Sequence, residues 1–211
     1  MTEGDFHISV IIPTYNRCDI LEKCLLALHG QTLPGDSFDL IVIDDGSRDA
    51  TPKVAARFQE ETFGSRLTFL RQQNSGQNAA RNRAIAVARG DLLLFINDDT
   101  IAAPTMLAEH CRFHAAHPEE TVAVLGRVTR SREIPWNIFA TLHLDETFAQ
   151  WEGRTELDWR SFITCNLSVK KSLLVKYGTY DESLRYNDDV ELGERLSRHG
   201  LRILYNPDAL G

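Results

Sequence analysis

Adjacent aspartates occur at Asp44-Asp45, Asp98-Asp99 and Asp188-Asp189. Neighbouring carboxylates repel, so holding two together costs stability unless a cation or a hydrogen-bond donor offsets the charge. The first two pairs follow short apolar runs, Leu40 to Ile43 and Leu92 to Ile96, that read as buried strands. A solvated turn is the plain reading of any single pair, because Asp is common in turns. Two pairs at the ends of strands of one sheet would lie close together, which a shared site predicts and turn chemistry does not. Closely spaced carboxylates favour hard cations such as Mg²⁺ or Mn²⁺. Such a cation would neutralise a diphosphate and stabilise the charge on a departing nucleoside diphosphate. The chain has no GxxxxGK[ST] segment and no GxGxxG after a strand. A nucleotide site here has to work through carboxylates and metal.

The elements that must position these acids alternate. Ile8 to Pro13 reads as a first strand, Leu40 to Ile43 as a second, Leu67 to Leu70 as a third, Leu92 to Ile96 as a fourth and Val122 to Val128 as a fifth. Between them, Asp19 with Glu22 resembles a capping box opening a helix whose buried face is Leu21, Cys24, Leu25 and Leu28. Thr51-Pro52 carries N-cap and N1 chemistry for a second helix burying Val54, Ala55 and Phe58. Ala80, Ala84, Ile85 and Ala88 mark a third helix stopped by Gly90, and Pro104 opens a fourth through about Ala116. The alternation implies an α/β fold with a mostly parallel sheet covered on both faces, with sites outside the carboxyl ends of the strands. Beyond it, Phe162 to Val169 reads as a strand, Asp189 to Arg198 as a helix stopped by Gly200, and Leu201 to Tyr205 as a last strand. The expected organisation is one domain over 1–211, with a donor-binding half of about 1–128 and a mixed acceptor and catalytic half of about 129–211.

The 211 residues, 43% hydrophobic and 25% charged, suit one globular domain with a sizeable core. A net charge of −7 makes nucleic-acid backbone a poor partner and leaves an anionic substrate to be held by something local. Cys18, Cys24, Cys111 and Cys165 form no CxxC pair and read as small buried residues or thiols of a reducing compartment. No apolar run reaches membrane-spanning length, and the polar start does not resemble a secretory signal. The expected location is cytoplasmic, with peripheral membrane contact left open. His110, His114 and His117 share a helix face but lack HExxH and a fourth ligand, so they read as surface or core residues. Trp136, Trp151 and Trp159 read either as sugar-stacking walls or as core.

Six segments now recur in a recognisable order. They are Pro13-Thr14-Tyr15-Asn16-Arg17, Asp44-Asp45-Gly46-Ser47, Asn74-x-Gly76 with Ala80-Arg81-Asn82, and Phe95-Ile96-Asn97-Asp98-Asp99. Thr164 to Val169 with Gly178-x-Tyr180-Asp181-Glu182, and Asp188 to Leu192, complete the set. The chain resembles family 2 glycosyltransferases of the Rossmann-like GT-A fold across almost its whole length. The resemblance implies that Asp45 contacts the base or ribose of a nucleotide, that Pro13, Thr14 and nearby main chain line the same pocket, and that Arg81 lies near the nucleotide. An Arg on the helix surface is the plain alternative for Arg81.

Asn97-Asp98-Asp99 stands at the family's DxD position with Asn in place of the first Asp. That implies a weaker first position, Asp98 at the donor ribose or sugar, and Asp99 as ligand of Mg²⁺ or Mn²⁺. Asp189 matches the acid of the late ED-type motif, and Asp188 stands where Glu is more usual. An inverting transfer needs a base opposite the leaving group; Asp189 is assigned that role and Asp188 the helix cap. The implied donor is a UDP-, dTDP- or GDP-sugar, and the implied acceptor a glycan, lipid-linked sugar or polysaccharide precursor. The family often carries a His beyond the final strand, and the sequence stops before that point. A catalytically silent nucleotide-sugar-binding module stays open as an alternative. So does a nucleotidyltransferase, although Pro13 to Arg17 does not supply that class's glycine-rich basic loop.

Overall fold

The structure is a computed structural model that describes residues 6–131 and 146–211. Its centre is an eight-stranded sheet in the order β3-β2-β1-β4-β7-β5-β8-β6 among the described residues. The strands are β1 (Ile8–Thr14), β2 (Phe38–Asp44), β3 (Leu67–Arg71), β4 (Leu92–Ile96), β5 (Val122–Arg127), β6 (Glu156–Leu157), β7 (Asn166–Lys170) and β8 (Arg202–Leu210). The helices are α1 (Cys18–His29), α2 (Thr51–Phe58), α3 (Gln77–Val87), α4 (Met106–Ala116), α5 (Lys171–Tyr177) and α6 (Asp188–Ser197). β1 pairs in parallel with β2 and β4, and β2 with β3. β7 runs antiparallel between β4 and β5, and β8 is parallel to β5.

Strand alternation divides the apolar residues between two cores. Val10, Ile12, Val42 and Leu94 face α1, α2 and α4 through Leu21, Leu25, Phe58 and Leu107. Ile11, Ile43, Leu93 and Phe95 face α3, α5 and α6 through Ala84, Leu174 and Leu192. Burial of each large side chain stabilises by about 1.5–3 kcal/mol. The helices therefore lie on both faces, as the alternating pattern predicts. No helix among the described residues is long and apolar enough to cross a membrane.

Several local expectations are corrected. α1 begins at Cys18 with Arg17 at its N-cap and no side-chain cap bond. The Asp19–Glu22 capping box does not form, because Asp19 already lies inside the helix and Glu22 pairs with Arg57. Thr51 is the first residue of α2 rather than its cap; its amide donates to Asp49 Oδ1 at 2.9 Å. α3 ends at Val87, before Gly90. The sequence did not give the strand order, in which β7 separates β4 from β5. β7 begins only at Asn166, after a short 3₁₀ turn at Trp159–Ser161. β8 continues through Pro207 to Leu210, well past Tyr205, and the spacing gave no warning of α5 or β6. Trp151 is core, packed edge-on against Phe148 and Tyr205, while Trp159 is half-buried beneath the Arg160 guanidinium. Trp136 lies outside the described residues.

Candidate active site

The parallel register brings the carboxyl ends of β1, β2 and β4 to one edge of the sheet. Antiparallel β7 starts at that same edge, with Asn166 opposite Ile96. Thr14, Asp45, Asn97 to Asp99 and Thr164 are thereby neighbours, although they come from four separate stretches of chain.

The first two strand-end loops interlock. Asn16 sits at φ 54°, a left-handed conformation that Asn tolerates better than most residues. From there its amide donates to Ser47 Oγ at 2.8 Å, and its side-chain oxygen accepts the Arg48 amide at 2.7 Å. Asp44 is fully buried and closes its own turn, accepting the Ser47 amide at 2.8 Å and pairing with Arg71 Nε at 3.1 Å. Gly46 at φ +88° is required there, since a Cβ would meet the Asn74 amide at 2.9 Å. Asp45 turns the other way. Its carboxylate accepts Gln72 Nε2 (2.8 Å), the Ser75 amide (2.9 Å) and the Gly76 amide (3.0 Å), which fixes the loop entering α3. A carboxylate has about four acceptor positions, so one is left for a ligand.

Pro13, Thr14, Arg17, Asp45, Gly76 and Asp98 are among the residues lining a cleft of about 400 Å³, within the usual range for small-molecule sites. Asp98 is 3% exposed, accepts Thr14 Oγ1 at 2.7 Å and pairs with Arg17 Nη1 at 2.6 Å. Burial pushes its carboxyl above the usual carboxylate range, against the pull of Thr14 and Arg17. Asp99 is more exposed and faces Arg17 Nη2 at 3.1 Å.

Asp188 and Asp189 open α6 on the other side of the Asn74–Gln77 wall. A second cleft of about 620 Å³ runs there, lined by Gly76, Gln77 and Asn78 on one side and Glu182, Tyr186 and Asp188 on the other. Asp189 accepts the Thr164 amide at 3.0 Å and Thr164 Oγ1 at 2.7 Å. Burial raises its carboxyl pKa; Arg81 and the Thr164 bonds oppose the rise and Asp188 adds to it. Asp188 is not the helix cap. Left-handed Asn187 holds the N-cap position without a side-chain bond, and Asp188 pairs with Arg81 Nη1 at 2.8 Å.

Arg81 is held among acids and an aromatic ring. It is 4% exposed, is not among the residues lining the smaller cleft, lies over the Tyr180 ring at 5.0 Å and reaches Asp189 at 3.5 Å. It is not a helix-surface charge either. Asn78 and Asn82, one helical turn apart on α3, hold the loop before α6. Asn78 Nδ2 donates to the Asp181 and Leu184 carbonyls, and Asn82 exchanges bonds with Tyr180 N (3.0 Å) and O (2.9 Å). Sequence reasoning missed Asn78 and Thr164 as holders of this loop and of Asp189. Polar residues on the otherwise apolar buried stripe of α3 were the available signal.

Among the described residues no group of three or more His, Cys, Asp or Glu could hold a metal. Mg²⁺ and Mn²⁺ are usually held by one or two carboxylates together with substrate phosphates. Asp99 fits that pattern: it offers a hard, accessible oxygen to a cation that arrives with a diphosphate, without a standing cage.

The mannosyltransferase PcManGT of Pyrobaculum calidifontis, solved with GDP-Man and Mn²⁺, superposes with a TM-score of 0.74 at 25% identity, over 97% of this chain and 56% of that one. The S. aureus protein TarS shares the fold at 22% identity and a TM-score of 0.75, over 96% of this chain and 35% of its own. Validoxylamine A glucosyltransferase of Streptomyces hygroscopicus is 28% identical over 97% of this chain, which spans 54% of that relative's length. The model of Glycosyl transferase family 2 matches residues 9–177. With that match across most of the length and the GT-A-like architecture around it, the chain belongs to glycosyl transferase family 2.

Proposed function

We propose that the chain is an inverting glycosyltransferase domain that moves a sugar from a nucleoside diphosphate-sugar to an acceptor hydroxyl. The observation that carries this reading is the cleft lined by Pro13, Thr14, Asp45 and Asp98 at the carboxyl ends of the parallel strands, beside a second cleft that reaches Asp188 and shares Asn74, Gly76 and Gln77 with it. Pro13, Thr14 and the remaining acceptor position of Asp45 hold the nucleoside. Asp98, fixed by Thr14, faces the ribose or sugar.

Asp99 would hold Mg²⁺ or Mn²⁺, which when bound supplies charge neutralisation at the diphosphate; PcManGT, solved with Mn²⁺ and GDP-Man, supports the use of a divalent metal with a nucleotide-sugar. Asp189 takes the proton from the acceptor hydroxyl as that oxygen attacks the anomeric carbon. Its burial makes it a stronger base than an exposed Asp. Thr164 and Arg81 keep its carboxylate in one orientation. A glycan, lipid-linked sugar or polysaccharide precursor is the acceptor class proposed for the second cleft.

A melting-temperature panel of UDP, dTDP, GDP and CMP, each with and without Mn²⁺, tests the donor half of this reading. A ligand at about a hundred times its Kd stabilises the native state by about 2.7 kcal/mol. The expected result is a Mn²⁺-dependent rise for one nucleoside diphosphate and none for CMP. Absence of any shift across the panel would overturn the donor assignment.

A further inference from the structure

Among the residues lining the smaller cleft, Arg17 is the one basic side chain, and Asp45 and Asp98 line the same cleft. Its guanidinium forks across the acid pair, with Nη1 on Asp98 at 2.6 Å and Nη2 on Asp99 at 3.1 Å. A planar fork satisfies two carboxylates at once, which a point charge does less well. The Arg17 backbone is pinned: its amide donates to Thr51 Oγ1, and its carbonyl accepts the Ile20 and Leu21 amides. The side chain is 41% exposed, so it can swing without disturbing α1. Asp98 is buried and anchored by Thr14, whereas Asp99 is 36% exposed. The Asp99 half of the fork is the half that can open.

We propose that Arg17 is the resident counter-cation of Asp98 and Asp99, competing with a divalent metal for Asp99 in the ligand-free protein and turning its released Nη2 onto the diphosphate when donor and metal arrive together. The inference rests on the reading of the cleft as a nucleoside diphosphate site. It assigns the ligand-free protein weak affinity for metal alone and makes metal and diphosphate bind cooperatively.

The test is binding, with no transfer reaction in it. Free Mn²⁺ is followed by electron paramagnetic resonance, and inorganic pyrophosphate binding by calorimetry in the presence of Mn²⁺. Both are measured on the wild type, Arg17→Gln and Arg17→Lys, with circular dichroism melts as the folding control. Arg17→Gln is expected to bind Mn²⁺ alone on the order of tenfold tighter and pyrophosphate in the presence of Mn²⁺ on the order of tenfold more weakly. Arg17→Lys, which keeps charge but loses the fork, should fall between. Unchanged or weaker Mn²⁺ binding by a folded Arg17→Gln would overturn the competition and leave the metal assignment of Asp99 standing. No Mn²⁺ binding by any of the three, with or without pyrophosphate, would overturn both. Opposed shifts in a protein that shows no sugar transfer would uphold the role of Arg17 and count against the transferase reading alone.

Discussion

The polar cluster beneath β7 and the acids of the smaller cleft differ in how completely they satisfy themselves. Beneath β7, Lys170 Nζ points at His114 Nδ1 at 3.5 Å, and His114 Nε2 lies 2.9 Å from Ser168 Oγ. Ser168 Oγ lies 2.8 Å from His110 Nδ1, and His110 Nε2 lies 2.9 Å from Asn166 Oδ1. Lysine can only donate, so one direction of bonding runs down the chain and fixes both imidazoles as neutral, protonated at Nε2. Asn166 ends it by donating to the Arg127 and Ala209 carbonyls. His110, His114 and Ser168 are fully buried. The cleft, by contrast, carries net negative charge held by one half-exposed arginine. Serine beside histidine looks more like catalytic machinery than aspartate does. Complete pairing and no access make it scaffold, and the incompletely paired acids mark the place for a ligand.

The sharpest way to break this contrast is Asp189→Asn. Transfer should fall by about 10²–10⁴-fold, the usual contribution of a general base, while nucleotide and Mn²⁺ binding stay close to wild type. Equal loss of binding and transfer would remove the base assignment, and a domain with no transfer to lose would be a binding module.

A smaller effect is expected from acid on the scaffold side. Burial holds His110 down at about 4 and His114 well below its ordinary value, with Lys170 adding to the depression of His114. Glu109 and Asn166 pull His110 the other way. Below about pH 6.5 the unfolded chain therefore binds more protons than the native one, so stability is complete above that pH and falls as pH drops towards about 4. His110 alone accounts for about 3 kcal/mol. Urea melts between about pH 7.5 and about pH 5 should show stability falling with pH, with the His110 ring untitrated by NMR over that range. A flat profile, or a ring that titrates near 6.5, would show the network to be open.

The smallest effect is Ser168→Ala, which strips His110 of a donor and His114 of an acceptor. A loss of about 2 kcal/mol is expected in urea melts, with donor binding unchanged well below the transition. Altered nucleotide affinity would mean that the two constellations are coupled.

What was legible in the sequence follows the same division. Strand and helix identity came from periodicity, because each element buries one face: Leu21, Cys24, Leu25 and Leu28 are all fully buried, as their spacing required. The strand-end acids were legible because Asp pairs after apolar runs are unusual. What escaped were relations between distant segments. Nothing local in Asn166 to Lys170 says that the strand runs antiparallel between β4 and β5, and nothing near Arg81 says that its partners stand at Asp188 and Asp189. Caps were misread for the same reason: Thr51 Oγ1 serves the Arg17 amide, a contact between neighbouring loops rather than within a helix.

The place of β7 also sets an order of events during synthesis. β4 and β5 both emerge before it, and in the finished sheet each pairs with β7 rather than with the other. Until residues 166–170 are made, each presents an unpaired apolar edge, the kind of surface that invites wrong partners on a nascent chain. Thr14, Asp45 and Asp98 can be in place by then, since β1, β2 and β4 pair with one another directly. Thr164 and Asp189 follow later, so the cleft at Thr14, Asp45 and Asp98 takes shape first and the carboxylate proposed as its base joins only when the sheet is sewn shut.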